Sequence, residues 1–260
     1  MNESELVEFW QARMRQEIAQ DWAEALGHYA LLRALLWEPQ RYRFSGDRAW
    51  LLACRDDLFF RDVAFDCEER VMLHQALDAS IGARRPASAL LDDHGRAQLA
   101  AITTLELERP HALMALDQAW GTARLVDVEA HDLAGEVLPL DDHASSALRV
   151  LVAAVGSLSL AAAPEAQWYG IWRAGMLVAA GCAMARSDGL GEISNVITHP
   201  LHRRRGYASL ITATLVRWLW QAGCRPLLEI AADNLAAHAC YQRLGFRTMH
   251  HLWQVQFFTP

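Results

Sequence analysis

Glu192-Ile-Ser-Asn-Val-Ile-Thr-His-Pro-Leu-His-Arg-Arg-Arg-Gly-Tyr-Ala208 is the stretch on which the reading of this chain turns. Its first part reads as a strand that meets Pro200, and its second as a basic turn ending at Gly206. Beyond the turn, Ala208, Ile211, Leu215 and Leu219 fall on one stripe of an amphipathic helix. A strand that ends at a helix N-terminus aims several unpaired backbone N–H groups at one place, and the helix dipole adds about half a positive charge there. Such a place suits an anion, and a pyrophosphate in particular. Gly206 brings backbone close to a ligand with no Cβ in the way, Ala208 does nearly the same, and Arg203, Arg204 and Arg205 raise the local potential. The same residues also suit an ordinary strand-to-helix connection with a solvated arginine cluster, and the physics of the stretch leaves both readings open.

The spacing Pro200-x-x-Arg203-x-x-Gly206-x-Ala208 resembles the acetyl-coenzyme A signature of the GNAT superfamily of N-acetyltransferases, R/Q-x-x-G-x-G/A between the fourth strand and a helix. A second block comes after it in the right order. Asn234, Ala237, Tyr241 and Leu244-Gly245-Phe246 are similar to the superfamily's N-x-x-A-x-x-x-Y-x-x-L-G-F. The resemblance covers residues 134–260; the first half is at most similar to the degenerate GNAT-like or helical half of some two-part members.

The resemblance implies a site, residue by residue. The fourth and fifth strands are expected to splay apart, with the pantetheine arm of acetyl-CoA between them on the backbone of Val196, Ile197 and Thr198. The pyrophosphate is expected on backbone N–H groups of Arg204, Arg205, Gly206, Tyr207 and Ala208, with Arg203 in the motif's R/Q position. Tyr241 matches the general acid that protonates the departing thiolate, and a tyrosine with an ordinary pKa of about 10 carries the proton to donate. Glu192, eleven residues before Arg203, stands where some members place a general base; others use ordered water. Asn234 is expected to cap the following helix, with a contact to the cofactor as a second role. The implied activity is transfer of an acetyl group from acetyl-CoA to a primary amine, on a small molecule or a peptide, by direct attack. Two other readings stay open: an N-acyltransferase that takes longer acyl-CoA donors onto an amino acid, and a module that binds acyl-CoA without turnover.

Outward from the motif, residues 134–260 read as an α/β domain: a short strand at 136–140, a helix to about Val155 with Asp141-Asp142 at its start, strands at 166–173, 176–185 and 191–198, a helix at 206–221, a strand at 226–231, a helix at 234–244 and a last strand at 246–258. The resemblance implies that these elements form the mixed sheet with flanking helices of a GNAT-like fold. Residues 1–133 read as an α+β domain of unassigned role. Leu6, Trp10, Met14, Ile18, Trp22 and Leu26 recur every fourth residue, as in an amphipathic helix. A second helix runs from Tyr29 to Leu36, stretches 49–54 and 58–65 form a hairpin, and helical patterns cover 68–80 and 95–107. An N-terminal domain over the cleft would shape the acceptor site or make a homodimer, and the sequence does not choose.

Composition bounds the rest. With 53% hydrophobic and 21% charged residues the chain is globular, and a net charge of -7 argues against a nucleic-acid binder. All 24 basic residues are arginine. The five cysteines are widely spaced and form no C-x-x-C pair, so reduced thiols and no structural metal are expected. Neither a long apolar run nor a basic and apolar leader is seen, which leads to the expectation of a cytoplasmic protein with no membrane partner. His199 and His202 flank the basic turn and read as solvated, His250-His251 point to opposite faces of a strand and make no metal site, and Trp168, Trp172, Trp218, Trp220 and Trp253 are mostly core.

Overall fold

A computed structural model describes residues 3–26, 43–45, 50–54, 57–61, 86–101, 104–119, 137–141, 144–156, 165–186 and 188–258. In chain order the elements are α1 (Glu3–Gln20), α2 (Trp22–Ala25), β1 (Arg43–Ser45), β2 (Trp50–Cys54), β3 (Asp57–Arg61), β4 (Pro86–Leu91), α3 (Asp93–Ala100), β5 (Leu105–Ala115), β6 (Val137–Pro139), α4 (Ser145–Val155), β7 (Gln167–Arg173), β8 (Met176–Ala185), β9 (Leu190–Thr198), α5 (Tyr207–Gln221), β10 (Arg225–Ala231), α6 (Leu235–Leu244) and β11 (Arg247–Phe258). This is the expected mixed α/β class. The chain divides into two compact units, 1–112 with 231–233 and 249–260, and 113–230 with 234–248. The boundary expected near residue 134 lies inside the second unit, and most of β11 is counted with the first. Among the described residues no helix is long and apolar enough to cross a membrane.

In the first unit the strand order is β1-β2-β3-β4-β11-β5. The hairpin expected at 49–65 forms as β2 and β3, paired from Trp50↔Arg61 to Cys54↔Asp57. Met14, Ile18 and Leu26 of the predicted helical stripe are buried. The stripe breaks once, where Asp21 leaves helical geometry and its Oδ1 accepts from the N–H groups of Ala23 at 3.0 Å and Glu24 at 3.2 Å, starting α2. The helices expected at 29–36 and 68–80 lie outside the described residues. The helical reading of 95–107 needs correction. Its helix stops at Ala100, and Leu105 opens an eleven-residue strand. Leu105-Glu106-Leu107-Glu108 alternates with period two, and that local pattern overrides the helical one before it.

In the second unit the order is β10-β9-β8-β7-β6. Antiparallel pairs link β6 through β9, and the connection through α5 makes β9 and β10 parallel. Every element predicted from residue 166 onward forms, each boundary within a residue of its expected place. The start of α4 differs from expectation: its N-cap is Ala144, with no side-chain bond, rather than an aspartate. On one face of the sheet, Ile211, Leu215 and Leu219 of α5 are fully buried, worth roughly 1.5–3 kcal/mol each by area. Gly181 lets α5 approach this closely, since a Cβ there would stand 2.7 Å from Ile211 Cγ2. On the other face Leu151 of α4 packs against Leu177 and Ala180, with Trp168 and Trp172 beside them, half-buried at the edge of this core rather than inside it.

Candidate functional site

Strand β9 keeps β8 along its length and loses β10 partway along. Its register with β8 runs from Ala185↔Gly191 to Cys182↔Ser194 and resumes at Ala180↔Ile197, so β9 carries one extra residue. Asn195 takes up the extra length with φ 53, a left-handed conformation that asparagine tolerates better than most residues. A bulge of this kind bends the strand. Parallel pairing with β10 extends from Leu190↔Arg225 only to Glu192↔Leu227. Residues Leu190 to Ile193 are buried, whereas Ser194 to His199 are half-buried. Val196, Ile197 and Thr198 therefore hold β8 on one side and present their other edge toward the gap. Thr198 Oγ1 is buried with no hydrogen-bond partner, the kind of atom a ligand's amide would satisfy.

At the end of β9 the His199 N–H donates to Val178 O at 2.8 Å, and His199 Nδ1 accepts from the Leu201 N–H at 3.3 Å. One turn of 3₁₀ helix, Pro200–His202, follows. Arg203 Nε donates back to Thr198 O at 3.3 Å, which ties the turn to its strand. Arg204 has φ 61 and Gly206 has φ 81 with ψ -2. Gly206 is the N-cap of α5 and no side chain bonds to that helix end, so the N–H groups of Tyr207, Ala208 and Ser209 have no acceptor within the helix. A left-handed residue followed by a helical one turns successive N–H groups into a concave anion nest. A Cβ at Gly206 would meet nothing within 4 Å. Glycine is therefore required there by its φ rather than by crowding.

The side chains of Arg203, Arg204 and Arg205 are exposed around this nest. The structure adds Arg173 from the end of β7, whose Nε donates to Tyr207 Oη at 3.2 Å with its guanidinium 5.1 Å from the ring centre. Tyr207, 4% exposed, is thereby locked as the first residue of α5. His202 feels the same field: desolvation first, then Arg205, His199 and Arg173, push its pKa below the usual value. Its Nδ1 is buried without a partner, so His202 is more enclosed than a solvated loop histidine.

The second motif block lies on α6. Asn234 is its N-cap, with Oδ1 accepting from the Ala237 N–H at 3.3 Å, as predicted. Gly245 ends the helix with φ 103, and the Phe246 N–H bonds back to Tyr241 O at 3.0 Å. That C-cap folds the Phe246 ring onto Tyr241, centroids 5.9 Å apart. Leu244-Gly245-Phe246 thus seats Tyr241, which is 8% exposed. Burial, with a smaller contribution from Cys240, pushes its phenol well above the ordinary tyrosine range, so the hydroxyl keeps its proton. Ser209 Oγ lies 3.2 Å from Cys240 Sγ, which places the residue before Tyr241 against the first turn of α5.

Glu192, 7% exposed, lies at the last rung shared by β9 and β10. It is six residues upstream of Thr198, under about 20 Å along a strand that the Asn195 bulge shortens and bends. The structure thus gathers Val196–Thr198 and Arg203–Ala208 into one continuous edge and turn, joins α6 to it through Ser209, and leaves Glu192 at the far end of the edge. Among the described residues no group of three or more acidic, histidine or cysteine side chains forms a metal site.

Residues 168–254 match the family model described as FR47-like protein. An uncharacterised N-acetyltransferase of Bacillus subtilis, YobR, is 33% identical over 67 residues, 25% of this chain and 27% of that protein, so the chain spans about a quarter of this curated relative's length. A GCN5-related N-acetyltransferase from Kribbella flavida shares the fold at 18% identity and TM-score 0.58, over 90% of this chain and 94% of that one. A GCN5-related N-acetyltransferase-like protein from Streptococcus suis does so at 14% identity and TM-score 0.61, over 95% and 99%. The family match covers residues 168–254, about a third of the chain, and in fold that region is similar to GNAT acetyltransferases, as the solved structures show.

Proposed function

We propose that the protein is an N-acetyltransferase that moves an acetyl group from acetyl-CoA to a primary amine by direct attack. The observation that carries the reading is the uncapped, glycine-initiated start of α5 at the end of a strand that has left its neighbour. The nest and its arginines suit a pyrophosphate in charge and in geometry. The free edge of Val196–Thr198 suits an extended arm that bonds like an added strand, with Thr198 Oγ1 as a further partner.

In this reading Glu192 takes a proton from the acceptor's ammonium, since only the neutral amine is a nucleophile. The nitrogen forms a bond to the thioester carbonyl carbon, the carbon–sulfur bond breaks, and the nitrogen's surplus proton is lost as the amide forms, which restores the proton that Tyr241 gives up, while the proton on Glu192 passes to solvent. Tyr241 gives its proton to the departing sulfur, for which its raised pKa keeps it ready. Products are the acetylated amine and CoA. Calorimetric titration with acetyl-CoA and with CoA, followed by thiol release in the presence of amines, tests this. Binding of both with amine-dependent thiol release supports the enzyme, binding without release would leave a sensor, and binding of longer acyl-CoA in preference would move the donor assignment.

A further inference from the structure

The face of the sheet turned away from α5 carries a second carboxylate that no motif marks. Gly191 faces α5, because a Cβ there would run into the Leu219 side chain, so its neighbour Glu192 faces the other way. Glu192 and Leu227 share a rung, and paired residues of adjacent strands point to the same face. Two residues further along β10, Glu229 therefore lies on the Glu192 face. It is half-buried and stands just past the last paired rung, where the strands part. Strand spacing and rise put the two α-carbons about 8 Å apart, or somewhat more with the divergence. Across β8 the same face continues through Met184 and Cys182, paired with Glu192 and Ser194. The same face of β10 also carries Arg225, two residues before Leu227 and away from where the strands part, with its Nε 3.8 Å from Asp117 Oδ2.

We infer that Glu229 is an acceptor-binding residue: it docks the incoming ammonium opposite Glu192, and the acceptor is a cationic amine with no carboxylate on the carbon that bears the nitrogen. This rests on the acetyl-transfer reading and narrows it. Two carboxylates on one face attract an ammonium and repel a third carboxylate, so an α-amino acid is disfavoured at the site. The division of work follows burial. Glu229, more exposed, receives the charged amine, and Glu192, more enclosed, takes its proton before attack.

The test uses matched amines, tyramine against tyrosine and agmatine against arginine, with thiol release as readout and calorimetry for acetyl-CoA. The amine lacking the carboxylate is expected to have a kcat/KM higher by about tenfold or more. Glu229→Gln should raise the KM for that amine by about tenfold and lower kcat less, while acetyl-CoA affinity stays within about twofold, which also reports that the variant is folded. Equal or better use of tyrosine and arginine, an unchanged amine KM in Glu229→Gln, or no turnover of tyramine and agmatine by protein that binds acetyl-CoA would overturn the inference alone. Absence of acetyl-CoA binding would overturn the proposed function, and the inference with it.

Discussion

Two strand-to-helix turns of this chain start their helices differently. After β10, Asn234 accepts from the Ala237 N–H and closes the start of α6. After β9, Gly206 closes nothing: the start of α5 has no side-chain cap, its N-cap residue is left-handed, and three arginines surround it. A capped helix end has already used part of its hydrogen-bonding capacity on its own chain, whereas an uncapped one keeps its N–H groups for an anion. In the proposed reading, the contrast separates a structural turn from a binding turn within one fold.

The sharpest way to break the contrast is to fill the binding turn. Gly206→Val places a β-branched residue at φ 81, a conformation that costs about 1–2 kcal/mol and distorts the backbone that forms the nest. Acetyl-CoA affinity should fall by about 100-fold or more on calorimetry, against a smaller effect on thermal stability. Next in size is Tyr241→Phe. It removes the proton donor and leaves the nest intact, so kcat should drop about 100-fold while acetyl-CoA affinity stays within about twofold. Because the folded-state phenol is held above its usual pKa, the wild-type activity should show no loss from this group as pH rises from 7 to about 10. Wild-type activity equal to that of Tyr241→Phe would remove the assigned acid.

Asn234→Ala tests the other turn. Loss of the cap should cost about 1 kcal/mol of stability and shift Tm by about 2–4 °C, with acetyl-CoA binding nearly unchanged. A large loss of binding instead would give Asn234 the cofactor contact expected as its second role. The smallest effect belongs to Arg203→Ala, since its Nε faces Thr198 O and the nest is made of backbone. Affinity should weaken by about threefold, with a shallower salt dependence.

Much of this is legible along the sequence because its punctuation is strong. Pro200, Gly206, Asn234 and Gly245 sit where strands and helices of the second unit begin or end, and the residues between them keep one period at a time. At 95–107 the period changes within the window, and the helical reading runs past the true end of the helix. Residue type alone favours Asp141 or Asp142 for the start of α4, yet the chain starts that helix at Ala144. The bulge at Asn195 has no signature beyond an asparagine in a strand, although it redirects the whole edge. Arg173 is not placed at the turn by sequence because 34 residues separate it from Tyr207 and only folding brings them to 3.2 Å. Glu229 is hidden for the same reason: its face follows from register with β9, which no single strand reveals.

The most direct measurement of the central claim is calorimetric titration of wild type and Gly206→Val with acetyl-CoA and with free CoA at matched salt. The account predicts that wild type binds both, since the nest reads the part they share, and that the variant loses both together. Failure of wild type to bind either, or a Gly206→Val variant that binds as wild type does, would contradict it.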